Sequence, residues 1–416
     1  MSVLDNARDI ASAWREEIDL HAVMSAGLSS ALMATGPVDV VALGKAAPEL
    51  AVAAVEVLDV EPWRTLVITD AVGSSAECLS NIKVEVAVGE HPVPGQGSLR
   101  AGRALIDFLE APTIADTTLF LVSGGTSSIC VAPLSPIELA DVRAIWRAAL
   151  VAGFDITELN TLRAATSELS GGRVLGHVRT GSSRALVMVD NVVSGAEWVA
   201  SGLTYDHPIP GDAVESLLAR LTSIDAGLAA KIRVAHVARE AARRHPTWPD
   251  HRNVVLIEPT AMLDAARTRA AALGYRVVDL GATSDPVDEV AADLAGVLRD
   301  ASAPTCALAV GEVSVEVVGI GEGGRCQELA WHMASEIDGL EAAFVAMASD
   351  GRDHVAGVAG AWSDGATLER ATALGLEWSE IVADNDSHRA LSSLNQIFAG
   401  ERTGWNLCDI YVACSS

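Results

Sequence analysis

Short apolar runs of strand length alternate along this chain with longer stretches of helical period, and no other feature narrows the fold as far. A parallel strand covered on both faces reads as a near-continuous apolar run, and a helical crossover must carry the chain back before the next strand can start. Val38–Leu43 (VDVVAL) has that character, and a helix is expected from Ala46 onward. Thr65–Thr69, Val84–Val88, Thr118–Val122 and Ala185–Val189 read as further strands, with helices at Leu139–Ala152 and Ala213–Ala241. His245–Asn253 (HPTWPDHRN) contains two prolines and no apolar period, so a domain boundary is expected there. Beyond it, strands at Val254–Ile257 and Arg276–Asp279 flank a helix at Met262–Leu273. A β-rich run follows at Ala307–Ile320, alternating over Val313–Val318, then a strand at Ala343–Met347 and short helical pieces. The expectation is an α/β protein of two domains. Residues 1–246 form a larger, doubly wound parallel sheet and residues 247–416 a smaller mixed α/β domain, with the site in the cleft between them.

A length of 416 residues, half of them hydrophobic, suits two cores better than one. The net charge of −26 argues against a nucleic-acid backbone as partner, since that needs clustered Lys and Arg. No apolar window is long enough to span a membrane, and the acidic start MSVLDNARDIASAWREEIDL reads as an amphipathic helix rather than a signal peptide. The six cysteines form no CxxC pair, which fits reduced thiols in the cytoplasm. Only three lysines occur, Lys45, Lys83 and Lys231, so one at a strand-to-helix junction carries weight.

Four clusters follow directly on strands, where α/β sheets bind ligands. Gly44-Lys45-Ala46-Ala47 puts a lysine at a helix start, as a point charge for phosphate or as a plain solvated side chain. Ser123-Gly124-Gly125-Thr126-Ser127-Ser128 offers glycines and hydroxyls either for an anion or for a tight turn with a serine cap; it lacks the Gly-Lys-Ser/Thr ending of a Walker loop. Gly319-Ile320-Gly321-Glu322-Gly323-Gly324-Arg325 is a weak GxGxxG match strengthened by its arginine, against the alternative of a flexible hairpin. Ser349-Asp350-Gly351-Arg352-Asp353 sets two carboxylates at a strand end, for Mg²⁺ or a proton, or makes an Asx-turn.

With these residues in view, the chain resembles the class II glycerate kinases, which move the γ-phosphate of ATP to the 2-hydroxyl of glycerate. The matches run nearly end to end in the family's order. In the first half they are Gly44-Lys45-Ala46, Gly89 to Pro94, Ser123-Gly124-Gly125 with Ser127, Asn160 to Arg163 with Ser167, Gly171-Gly172-Arg173, Asp190 and Ser201-Gly202. In the second they are Gly311-Glu312, Gly319 to Arg325 with Gln327-Glu328-Leu329, Asp350-Gly351 with Asp353, Asn385-Asp386-Ser387, and Thr403-Gly404 with Asn406 and Asp409. The resemblance implies a Rossmann-like glycerate kinase domain followed by a MOFRL-like domain, with ATP and Mg²⁺ as cofactors. It implies catalytic roles for Lys45, Asp190 and Arg325. Substrate or phosphate contacts fall to Ser123, Gly124, Gly125, Ser127, Asn160 and Arg163, nucleotide contacts to Glu312, Gly321, Gly323, Gly324 and Asn406, and metal contacts to Asp350, Asp353 and Asp409. The partners it implies are a small hydroxy acid and ATP, in the cytoplasm, and it leaves a homodimer open.

Six positions depart from the family's usual residues: Gly95 for aspartate, Ala165 for histidine, Ser170 for lysine, Cys326 for asparagine, His354 for glycine and Trp405 for threonine. Val189-Asp190-Asn191 also replaces the usual Ser-Asp-Val. Each charge-assisted bond lost from a small anion site is worth roughly 1.5–3 kcal/mol, so the expectation is a kinase re-specified toward a larger or otherwise modified hydroxy acid. Ordinary glycerate 2-kinase activity, an inactive ligand-binding paralogue and a nicotinamide-dependent oxidoreductase are the competing readings.

Overall fold

The computed structural model describes residues 2–31, 36–58, 61–71, 79–207, 209–242, 250–301 and 304–416. They form two compact units, one of Leu20–Val189 with Ser194–Ile257 and the other of Met1–Asp19, Asp190–Val193 and Glu258–Ser416. In the first, strands β1 (Val38–Leu43), β2 (Arg64–Thr69), β3 (Glu85–Val88), β4 (Thr117–Val122), β5 (Ser182–Met188) and β6 (Asp250–Ile257) make one sheet. Its order is β3-β2-β1-β4-β5-β6 and every pair is parallel. This doubly wound order reverses between β1 and β4, and the crevice at the carboxyl ends of those two strands is where such sheets take ligands. All residues of β1 and β4 are buried, which explains their unalternating sequences. Val41, Leu43 and Phe120 pack with Leu105 and Leu109 of helix Gln96–Glu110. Helices Leu139–Val151, Ile156–Thr166, Gly211–Thr222 and Ala226–Ala242 enclose a separate apolar cluster.

The second unit holds β7 (Arg276–Thr283), β8 (Thr305–Gly311), β9 (Ala342–Ala348), β10 (Val358–Asp364), β11 (Ile397–Ala399) and β12 (Asp409–Ser415) in the order β11-β10-β9-β12-β8-β7. Only β7 and β8 run parallel, so this sheet is mixed. The last strand slots between β8 and β9, which brings Asp409 level with Gly311 on one side and Ala348 on the other. Helix Val3–Ser12, opened by a Ser2/Asp5 capping box, belongs to this unit. It buries Ala7, Ile10 and Ala11, sets the Arg8 guanidinium 4.9 Å from the Trp362 ring, and pairs Asp9 with Arg269 at 2.6 Å.

Several expectations change. A single cut at 246/247 does not describe the units, because β6 completes the parallel sheet and the first helix packs with the C-terminal sheet. Part of the proline-rich stretch, 245–249, lies outside the described residues. Val313–Val318 is no strand: β7 and β12 already occupy both edges of β8, and the segment keeps only a bridge from Ser314 to Pro286. The helix expected over 213–241 is two, broken where the Asp225 carboxylate accepts the Leu228 N–H at 2.9 Å. Strands β10, β11 and β12 were not foreseen.

Candidate active site

In the N-terminal unit the ends of β1 and β4 are stitched together by one hydroxyl. Ser123 is fully buried; its Oγ donates to Leu43 O at 3.0 Å and accepts the Ala46 N–H at 3.1 Å, while Lys45 N–H reaches Gly124 O at 2.9 Å. Gly44 stands at φ +110°, and a Cβ there would sit 2.4 Å from Ser123 Oγ, so this close approach needs glycine. Ser123 therefore shapes the loop, and its one O–H donor is spent on Leu43 O. Gly125, at φ +82°, brings in the cation: a Cβ on it would lie 3.1 Å from Lys45 Cγ and 3.2 Å from His91 Cδ2.

From Ser127 a polar chain runs inward. Ser127 Oγ meets Ser201 Oγ at 2.8 Å, Ser201 Oγ donates to Asn160 Oδ1 at 3.0 Å, and Arg163 Nη1 donates to the same oxygen at 3.0 Å. Asn160 and Arg163 share one face of helix 156–166, a turn apart. The Arg163 guanidinium lies 3.9 Å from the centroid of the Trp146 ring, and burial pulls its pKa down to about 10. His91, Trp146 and Ser201 thus join the expected residues. Ser201 sits at φ +55°, and the Ser201-Gly202 match gives it no role in the site.

In the C-terminal unit the focus is the start of helix Arg325–Glu336. Its first N–H groups are capped from a distant loop: Asp353 Oδ1 accepts Cys326 N–H at 3.1 Å, and Oδ2 accepts Gln327 N–H and Gln327 Nε2, both at 3.0 Å. A Cβ on Gly324 would come within 2.3 Å of Asp353 Oδ1. So capped, the helix presents Arg325 to two carboxylates. Its Nη1 and Nη2 lie 2.6 and 2.7 Å from the two oxygens of Glu312, and its Nε lies 3.4 Å from Asp409 Oδ2. Burial works against the charge on Arg325, but Asp409 and Glu312 outweigh it and hold its proton more firmly than usual. Burial pushes the Asp409 carboxyl above its ordinary value against the pull of Arg325. Asp190 accepts from Asn406 Nδ2 at 3.3 Å.

Two expected sites differ from their sequence reading. Asp350 Oδ1 accepts the Arg352 N–H at 2.9 Å, which is the Asx-turn, and among the described residues no group of three or more His, Cys, Asp or Glu side chains could hold a metal. Asp350, Asp353 and Asp409 therefore do not form a ligand set, since both oxygens of Asp353 serve the helix. The glycine-rich segment runs along the 384–388 loop instead of opening onto a phosphate. Gly319 N–H goes to Asn385 Oδ1 at 3.0 Å, Ile320 N–H to Asp384 Oδ1 at 3.0 Å, and Gly321 N–H to Asp384 O at 2.8 Å. A Cβ on Gly323 would meet Ser387 Oγ at 2.3 Å. These glycines are there for backbone contact.

Residues 6–235 match the family profile described as a domain of unknown function, DUF4147, and residues 305–409 match the MOFRL family. The chain belongs to the class II glycerate kinase family. A D-glycerate 2-kinase of Thermotoga maritima is 28% identical over 383 residues, covering 89% of each chain. A glycerate 2-kinase of Pyrococcus horikoshii is 28% identical over 392 residues, covering 91% of this chain and 87% of that one. A solved glycerate kinase structure from Thermotoga maritima superposes with a TM-score of 0.83 at 26% identity, over 99% of both chains. The first matched range contains β1 to β5 and the second β8 to β11. No helix of the described residues is long and apolar enough to cross a membrane.

Proposed function

We propose that this chain is an ATP-dependent glycerate 2-kinase, a phosphotransferase that moves the γ-phosphate of ATP to the 2-hydroxyl of glycerate. The observation that carries the reading is the match along 99% of both chains to a glycerate kinase, with Lys45 and Arg325 each held at a loop-to-helix junction. Phosphoryl transfer asks little covalent chemistry of a protein; positioning and neutralisation of the phosphate oxygens supply most of the rate. Lys45 serves as a point charge on transferring phosphate, and Arg325 as a planar donor whose orientation Glu312 and Asp409 fix. Asp190, whose carboxylate accepts from Asn406, takes the role of base for the hydroxyl proton. The loop of Gly124, Gly125 and Ser127, with Asn160 and Arg163, belongs to the substrate side, and Glu312 to the nucleotide side. Mg²⁺ retains water and nucleotide phosphates and needs only one or two protein carboxylates. Asp350 and Asp409 are hard oxygen donors that fit it, and when bound with ATP it supplies charge neutralisation at the phosphates. A cytoplasmic setting accords with five buried free thiols, Cys130, Cys306, Cys326, Cys408 and Cys414.

The comparisons lend no support to a re-specified substrate or an inactive paralogue. The oxidoreductase reading loses its one motif, because the N–H groups of Gly319, Ile320 and Gly321 are already taken. ADP release with Mg-ATP and D-glycerate, with the product identified by ³¹P NMR, tests the proposal. Lys45→Ala and Arg325→Lys should each lower kcat by about 10²–10³. Absence of 2-phosphoglycerate from the folded wild-type protein would refute it.

A further inference from the structure

Arg163 is a half-buried cation without a counter-ion among the described residues. It takes part in no ion pair among the described residues, and its one hydrogen bond spends Nη1 on Asn160. Nε is closed to solvent and has no partner. A partly desolvated charge with an unsatisfied N–H is costly to a fold, so a site that keeps one is prepared for an anion that arrives later. Beside Arg163 lies a cavity of about 40 Å³, lined also by Ser127 and Ser170 and, on its apolar side, by Val131, Ile145 and Trp146. We propose that this cavity seats the carboxylate of the substrate, held by the guanidinium of Arg163. The inference rests on the glycerate reading and assigns one group of that substrate to one side chain.

Geometry favours a carboxylate over a phosphoryl group. Trp146 covers one face of the guanidinium and Asn160 holds the Nη1 corner, which leaves Nη2 as the donor for one small planar anion. The carbon bearing the 2-hydroxyl then stays at the Ser127 side, in the loop where Gly125 lies against Lys45. Ser170 lines the cavity where the family usually carries lysine, so a single cation meets a single negative charge.

Calorimetric titration of the full chain with lactate, propane-1,2-diol and inorganic phosphate reads the cavity without catalysis. Lactate should bind, and Arg163→Gln should weaken it about 10- to 100-fold. Propanediol, which lacks the carboxylate, should bind the variant and the parent alike. In kinetics the same variant should raise KM for glycerate by a similar factor while KM for ATP stays within about twofold, and guanidinium should partly restore Arg163→Ala. Lactate binding unchanged in Arg163→Gln, or displaced by phosphate, would overturn the assignment. If the wild type releases no ADP with glycerate yet binds lactate through Arg163, the kinase reading fails and the carboxylate site stands.

Discussion

Replacing Asp353 by alanine removes three acceptor contacts at once from the start of helix 325–336: the N–H of Cys326, the N–H of Gln327 and the Gln327 side-chain amide. Cys326 and Gln327 are fully buried, so water does not readily replace the lost carboxylate. Leaving a buried donor unsatisfied costs about 1–3 kcal/mol, and the two backbone groups together give about 2–6 kcal/mol. Against this stands the burden of burying the carboxylate itself, which raises its pKa, so the net loss is about 2–4 kcal/mol. Urea unfolding followed by tryptophan fluorescence should report it, since Trp331 lies on this helix. Hydrogen exchange gives the local readout: the amides of Cys326 and Gln327 should lose protection in the variant. Arg325 occupies the first turn, so kcat should fall although residue 353 itself need touch no ligand. A stability loss under about 1 kcal/mol with unchanged exchange at 326 and 327 would refute the capping argument.

Three further outcomes follow from the packing. Gly324→Ala drives a Cβ to 2.3 Å from Asp353 Oδ1 and should cost about 1–3 kcal/mol by the same urea assay. Glu90 caps helix 96–110; burial raises its carboxyl, but bonds from Gly97 N–H, Ser98 N–H and the Ser98 hydroxyl win and bring it to about 2 from 4.5. Its contribution is therefore present above pH 4.5 and lost as pH falls through about 2, so the stability gap between wild type and Glu90→Gln should close over that acid range. Trp405→Thr removes an edge-to-face partner 6.2 Å from the buried Trp14 and should lower stability by about 1–3 kcal/mol in thermal melts, leaving KM for glycerate unchanged.

The parallel sheet was legible in the sequence because burial on both faces writes itself as uninterrupted apolar runs, VDVVAL and TTLFLV above all. β10 and β11 were not. Gly360 interrupts the first, and the second has three residues, too few for any period to show. Val313–Val318 carried the alternation of a strand, but β7 and β12 hold both sides of the preceding β8, and β12 lies almost a hundred residues away. The site divides in the same way. Lys45, Ser123 to Ser127 and Arg325 follow strands, and position alone singles them out. The capping work of Asp353 spans 26 and 27 residues of chain, and Ser201 reaches Asn160 across 41, so neither role can be read from local spacing.

The six departures from the family pattern weaken the case for a shifted substrate once their surroundings are known. Ala165 is fully buried in the helical cluster with Leu162 and Ile232, where it meets aliphatic side chains. Cys326 is equally buried inside the capped turn, and its thiol is pushed well up by burial. Gly95 makes room for the Glu90 carboxyl, which a Cβ there would approach to 2.3 Å. Trp405 packs on Trp14 within the C-terminal unit, and His354 is an exposed residue at φ +53°, a conformation glycine adopts more readily. Ser170 alone of the six lines the cavity beside Arg163. A change in specificity must act through a group that meets the ligand, and five of these side chains are accounted for by packing, helix capping or loop conformation. What the sixth changes is the charge of the cavity wall, from a lysine in the family's usual pattern to a neutral hydroxyl. The physical question these positions raise is thus narrower than the sequence suggested: whether one guanidinium suffices to hold one carboxylate.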